Sequence, residues 1–145
     1  MLCCWQDGHG VQDVLPPSYD IVTRVHEYGG TPYAVQHGVV AFSEKRSGAL
    51  WVVPTQGAAP LCLSSTEGLR YADLRLAKNG TVLFAVREDH RAEGEAKAAL
   101  VAFALPQGQA PGPEVVLHMW PYFLAAPTLS PGGQLWAWVE WQHPN

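Results

Sequence analysis

The segment Leu76-Ala77-Lys78-Asn79-Gly80-Thr81-Val82-Leu83 returns 53 residues later as Leu129-Ser130-Pro131-Gly132-Gly133-Gln134-Leu135-Trp136. Both copies read as a strand, a turn and a strand. Asn-Gly tolerates the positive φ angles of a two-residue hairpin turn, and Pro131-Gly132-Gly133 takes the same place in the second copy. A second pairing sets Ala49-Leu50-Trp51-Val52-Val53 against Ala99-Leu100-Val101-Ala102-Phe103, 50 residues apart, each followed by a turn containing Pro, Gln and Gly. An earlier turn at His37-Gly38 places Gly38 42 residues before Gly80. A repeat of that length, built of short strands with its variation in the loops, is the signature of β-propeller blades.

Local patterning agrees. Almost no window keeps apolar residues at helical spacing without Gly or Pro interrupting, and only Ala92 to Ala99 has a helix-like composition, weakened by Gly94. Short β-type runs are expected at Ile21–His26, Tyr33–Gln36, Val39–Ser43, Leu50–Val53, Leu74–Leu76, Val82–Arg87, Leu100–Leu105, Val115–His118 and Leu135–Trp141. Gly and Pro supply 26 of 145 residues, enough for many turns. In Leu135-Trp136-Ala137-Trp138-Val139 both alternating faces are apolar, as in a strand of a sheet packed between two neighbours. The expected fold is therefore all-β, an incomplete β-propeller of about three four-stranded antiparallel blades, with a β-sandwich as the competing architecture. The expected units are the end of one blade at 1–28, blades at 29–69 and 70–120, and the start of another at 121–145. At roughly 45 residues per blade the chain is too short to close a ring of about four to eight, so it is expected to be a fragment or a part that assembles with more protein.

Charge excludes several functions. Nine Lys and Arg against 13 Asp and Glu give a net charge of -4 and no cationic field for phosphate-driven nucleic-acid binding. From Ala98 to Asn145 there is no Lys or Arg, Glu114 and Glu140 are the only acids, and four of the six tryptophans are present. Such a stretch expects a packing partner. The uncharged runs are broken by Pro and Gly, so no membrane span is expected, and the N-terminus lacks signal-peptide character. A cytoplasmic location follows as the expectation. Cys3, Cys4 and Cys62 match no metal or redox spacing and read as reduced thiols.

Four segments, in order, resemble the propeller of the prolyl oligopeptidase family of serine peptidases, in its acylaminoacyl-peptidase and dipeptidyl-peptidase-like branch. They are Thr23-Arg24-Val25-His26-Glu27-Tyr28-Gly29-Gly30, then Arg70-Tyr71-Ala72-Asp73-Leu74-Arg75-Leu76, then Val86-Arg87-Glu88-Asp89-His90, and Leu129-Ser130-Pro131-Gly132-Gly133 continuing through Trp138 and Trp141 to His143-Pro144-Asn145. The resemblance spans roughly residues 12 to 145. The family's Leu-Ser-Pro-Asp-Gly turn is divergent here, reading Leu76-Ala77-Lys78-Asn79-Gly80 in one copy and carrying Gly132 for Asp in the other. The resemblance implies further blades and an α/β-hydrolase domain bearing the catalytic triad, neither of which is expected within these residues.

No serine sits in a Gly-x-Ser-x-Gly elbow, so no catalytic residue is expected here. His26-Glu27-Tyr28-Gly29-Gly30 is not His-Glu-x-x-His, and the six histidines show no metal-ligand spacing, so neither a metal nor a cofactor is expected. Two clusters remain as candidates for gating substrate. His26 and Glu27 read as a strand end tying down the Gly29-Gly30 turn, or as a rim motif facing the peptidase domain. Arg87, Glu88 and Asp89 read as a solvated loop, or as an inward loop whose two carboxylates hold a cationic peptide terminus, as the resemblance implies for some dipeptidyl peptidases. The expected function is a noncatalytic propeller that gates peptide access to the hydrolase domain of a parent enzyme. Its partners would be that domain, the remaining blades and the parent's peptide substrate, with no nucleic acid and no membrane. The alternative is a free-standing propeller-type binding module that completes its ring by oligomerising.

Overall fold

The structure, a computed structural model, describes residues 2–27, 29–54, 57–105 and 110–143. Tyr28, Gln56, the Pro106-Gln107-Gly108 turn and Pro144-Asn145, all used above, lie outside the described residues. Among the described residues there are twelve strands and no helix. They are β1 (Cys3–Gln6), β2 (Gly10–Asp13), β3 (Tyr33–Gln36), β4 (Val39–Ser43), β5 (Leu50–Val53), β6 (Leu61–Ser64), β7 (Leu69–Leu76), β8 (Val82–Asp89), β9 (Lys97–Ala104), β10 (Glu114–Trp120), β11 (Phe123–Leu129) and β12 (Trp136–Trp141).

These strands form two complete antiparallel meanders, β3-β4-β5-β6 and β7-β8-β9-β10, flanked by the two-stranded pairs β1-β2 and β11-β12. The first strands of successive sheets, β3, β7 and β11, lie side by side. Each interface between sheets has its own apolar core. Leu15, Val40, Phe42 and Val53 pack the first, Leu50, Tyr71, Leu83, Val101 and Phe103 the second, and Val25, Val86, Leu100 and Leu124 the third. Strand alternation explains how one sheet serves two cores. In β9, Ala99, Val101 and Phe103 face the β3–β6 sheet, while Ala98 and Leu100 face β11. A period of two with both faces apolar is what a sheet buried between two others requires. Meanders stacked face to face in sequence order make an incomplete β-propeller, whose sheets do not close a ring among the described residues.

The sequence repeat survives at the level of single hydrogen bonds. Ala77 N donates to Val82 O and Gly80 N to Ala77 O, each at 2.8 Å; 53 residues on, Ser130 N donates to Leu135 O at 2.9 Å and Gly133 N to Ser130 O at 2.8 Å. Gly80 and Gly133 have φ of +71° and +72°. Each hairpin is therefore closed by four residues, not by the expected two-residue turn with positive φ at both positions. Asn79 stays outside the left-handed region because its Oδ1 accepts from the backbone and hydroxyl of Thr81. The two-residue turn with two positive φ angles occurs instead at His37 (+51°) and Gly38 (+77°), where Gln36 pairs with Val39.

One expected strand fails, and two other local signals resolve, for visible reasons. Ile21–His26 is not a strand: only Ile21 bridges to Glu44, and the chain turns left-handed at His26 and Glu27. Its polar groups are met by tertiary partners rather than a ladder, with Thr23 Oγ1 donating to Tyr71 O at 2.6 Å and His26 N to Glu88 Oε1 at 2.8 Å. Ala92–Ala99 is not helical; β9 begins inside it at Lys97. Strand β11 was not expected because it contains Pro127, which sits at a register shift between Ala125 and Thr128 where the ladder asks for no amide hydrogen.

Candidate functional site at the seam between two sheets

The end of β8 sorts the charged cluster by alternation. Arg87, Glu88 and Asp89 are strand residues rather than a solvated loop, and Glu88 is only 5% exposed. Arg87 and Asp89 face one side, where Arg87 pairs with Glu114 and Asp89 with the Arg91 guanidinium at 2.6 Å. Glu88 faces the other side, toward β11. The two adjacent carboxylates therefore do not converge on one ligand.

Glu88 is the centre of a buried histidine-carboxylate cluster. Its Oε1 lies 3.0 Å from His26 Nδ1 and also accepts the His26 backbone N–H at 2.8 Å, while its Oε2 lies 3.0 Å from His90 Nε2. The opposite nitrogen of His26 lies 3.2 Å from Leu124 O on β11. The rings of Phe123 and Trp141 pack against His26, with centroids 5.6 and 5.3 Å away. The left-handed turn at His26 and Glu27 directs the imidazole between the sheets. Glu27, at the opposite end of exposure, reaches the Arg70 guanidinium at 2.5 Å. The Gly29 N–H closes this turn on Val25 O at 2.8 Å.

The electrostatics follow from these contacts. The hydrogen bond to Glu88 raises the His26 pKa above its ordinary value, against the opposing effect of burial. Burial pushes Glu88 up, but hydrogen bonds from His26 and His90 outweigh it, leaving its carboxyl below the usual carboxylate range. Arg91 holds Asp89 down to about 2. Arg70 likewise lowers Glu27. At neutral pH the cluster thus holds an ionised Glu88 beside a histidine biased toward its cationic form.

A cleft of about 290 Å³ opens over this cluster, lined by His26, Glu27, Glu88 and His90 on one side and by Tyr122, Phe123 and His143 on the other, with Glu95 and Ala96 between. Three of the five sequence candidates, His26, Glu27 and Glu88, meet there. Arg87 and Asp89 do not. His90 belongs to the charged run at 87–91 without being one of the five candidates, and Glu95 lies outside that run; the two-residue spacing of Glu88 and His90 is the available signal, because it places both on one face of an extended chain. Among the described residues no group of His, Cys, Asp and Glu is arranged to hold a metal ion, and the three cysteines are free thiols. The same residues contain no helix long and apolar enough to cross a membrane.

No family model matches the sequence, and no curated protein matches it either. Solved structures do. A puromycin-hydrolysing peptidase of Mycobacterium tuberculosis is 33% identical with a TM-score of 0.76, over 95% of this chain and 23% of that one. A puromycin hydrolase is 28% identical, also with a TM-score of 0.76, over 93% of this chain and 23% of its own. The chain thus spans about a quarter of the length of the peptidases it resembles.

Proposed function

From a chain that belongs to the prolyl oligopeptidase family, in its acylaminoacyl-peptidase-like branch, as a portion of the β-propeller, we propose a noncatalytic role: it forms part of a wall that gates peptide access to an α/β-hydrolase domain. The observation carrying this reading is the match of nearly the whole chain, at 33% identity, to less than a quarter of a peptidase. Its own serines support a noncatalytic part, since none lies in the strained, exposed turn that a nucleophile of this kind needs. The gate works by size. A rigid ring of sheets admits short extended peptides and excludes folded proteins, so it contributes steric selection rather than chemistry.

Within that wall, His26, Glu27 and Glu88 are the gating residues, because they line an open cleft at a sheet seam. Arg87 and Asp89 serve the opposite face of β8, and the clamp of two neighbouring carboxylates is no part of this reading. The partners are the hydrolase domain, the remaining blades and a short peptide; the compartment is the cytoplasm.

Two measurements test the proposal. The purified chain should release no product from aminoacyl or N-acylated peptide chromogenic substrates or from puromycin; turnover by homogeneous material contradicts the noncatalytic role. For the gate, this chain replaces the matching segment of the Mycobacterium tuberculosis peptidase. A folded chimera should cleave short peptides and spare long ones. A folded chimera that cleaves both at equal rates removes the gating role.

A further inference from the structure

We infer that the seam between the β7–β10 sheet and the β11–β12 pair is a pH-dependent joint, latched by His26. The sequence prepares this. From Ala98 onward there is no Lys or Arg, so a carboxylate on β12 finds no permanent cation on β10 or β11, and β9 carries only Lys97 at its first position. Histidine stands at three of the crossings, beside the bond from Ala126 N to Asp73 Oδ2. His118 Nε2 on β10 lies 2.5 Å from Glu140 Oε1 on β12. His143, just after β12, lies 2.7 Å from Glu95 in the β8–β9 connection. His26 joins Glu88 on β8 to Leu124 O on β11. The neighbouring seam differs, being crossed by Ser43 Oγ to Tyr71 O at 2.8 Å and Gln36 Nε2 to Lys78 O at 3.2 Å, which do not titrate near neutrality.

His26 has the geometry of a latch. Both its nitrogens face acceptors, a carboxylate and a carbonyl, and a neutral imidazole has only one N–H to give. The cation satisfies both; the neutral ring must turn a lone pair toward one of them. Glu88 on β8, the Leu124 carbonyl on β11 and Asp73 on β7 favour the cation; His90 just after β8 and the Glu27–Arg70 pair, joining the turn to β7, stand nearby, and the rings of Phe123 and Trp141 are the other groups of β11 and β12 against it. Facing His118 are Glu140 and the Trp138 ring, and facing His143 are Glu95 and the Phe123 ring. On losing charge, His26 loses one of its two hydrogen bonds.

The direction is fixed by linkage. A histidine whose folded pKa is raised contributes stability below its unfolded pKa and loses it as pH rises through the folded value. Glu88, held low, stays ionised throughout that range. The seam is thus tight in mildly acidic solution and looser in alkaline solution. Because the two walls of the cleft belong to the two sides of this seam, the cleft widens with rising pH. This conclusion does not depend on the peptidase reading.

Amide hydrogen exchange of the full chain tests it, with the β11–β12 amides referenced to those of β8–β9 to cancel the intrinsic pH dependence of exchange. Between about pH 6 and pH 8, relative protection of β11–β12 should fall by roughly threefold to tenfold, the range allowed for one linked proton. His26→Gln should flatten the profile, and His9→Gln, far from the seam, should leave it unchanged. The wild-type chain decides the matter alone if a variant fails to fold. Protection of β11–β12 that does not change with pH, or a folded His26→Gln that titrates like the wild type, overturns the inference.

Discussion

Ala126 donates its backbone N–H to Asp73 Oδ2 at 2.7 Å, and the two residues, 53 positions apart, share a left-handed backbone with φ of +53° and +51°. Each sits at a register shift in the first strand of its sheet, between Ala72 and Arg75 in β7 and between Ala125 and Thr128 in β11. The other oxygen of Asp73 accepts the Thr31 N–H at 3.0 Å, and Asp73 N donates to Thr31 O at 2.8 Å. One carboxylate thus collects backbone groups from the entry to β3 and from β11 while sitting on β7. The neighbouring Gly30 has no room for a side chain, because a Cβ there would lie 2.9 Å from Asp73 Oδ1.

Asp73→Asn isolates this clasp. Asn tolerates the left-handed backbone as Asp does, so strain is unchanged and only acceptor capacity is lost. The variant should lower unfolding free energy by about 1 kcal/mol, read as a lower urea midpoint with an unchanged slope. Exchange at the Thr31 and Ala126 amides should rise more than elsewhere. An unchanged midpoint with those two amides still protected speaks against the clasp.

Glu88→Gln probes the buried cluster and carries a sign. A carboxylate held below its ordinary pKa contributes stability above that value and loses it as pH falls through the folded one. Wild-type stability should therefore decline in acid below about pH 4.3, and the variant should show a shallower decline. Near pH 6 the variant should be less stable by about 1–3 kcal/mol, since His26 loses the acceptor that favours its charged form. Urea unfolding across the pH range measures both limbs, and parallel curves for the two proteins would exclude Glu88 as the titrating partner.

The core between the β3–β6 and β7–β10 sheets predicts a contrast between two leucines. Leu83 is 0% exposed and Leu135 is 71% exposed. Leu83→Ala should cost about 2–5 kcal/mol, and Leu135→Ala should stay within about 0.5 kcal/mol. Thermal or urea unfolding distinguishes them, and equal losses would mean that Leu135 is covered in solution.

How far this molecule could be read in its sequence depended on where its backbone partners lie. Local signals located β3, β4 and β5 to the residue, because each is a short β-rich run bounded by turn residues whose partner strand is next in sequence. The repeat was legible for the same reason, being written in turns. The left-handed turn at His26 and Glu27 was not, since beside its local backbone bonds to Arg24 and Val25 the contacts that fix His26 run to Glu88 and Leu124, far along the chain. Strand β1, with Cys3 and Cys4 and no alternation of burial, carried no period to detect. Of the site, His26, Glu27 and Glu88 were visible as charge in recognisable segments. The separation of Glu88 from Asp89 needed the knowledge that β8 extends through both, which the apolar run ending at Val86 does not announce.

The two copies of the hairpin make different demands on glycine, and this separates backbone strain from packing. Gly80 and Gly133 share a left-handed φ, so alanine at either position is expected to cost about 1 kcal/mol through the backbone alone. At Gly133 a Cβ meets nothing within 4 Å, so that cost should be the whole effect. At Gly80 it would lie 3.0 Å from Val39 Cγ2 and 3.4 Å from Gln36 O, on the first hairpin of the preceding sheet. Val39 is buried and can yield little without disturbing β4. Gly80→Ala should therefore exceed Gly133→Ala by roughly 1 kcal/mol, the low end of an overpacking penalty, and the excess should vanish in the Val39→Ala background. A double-mutant cycle measures that coupling directly. Equal losses at the two glycines, with no coupling to Val39, would mean that the turn of one sheet does not rest on its neighbour.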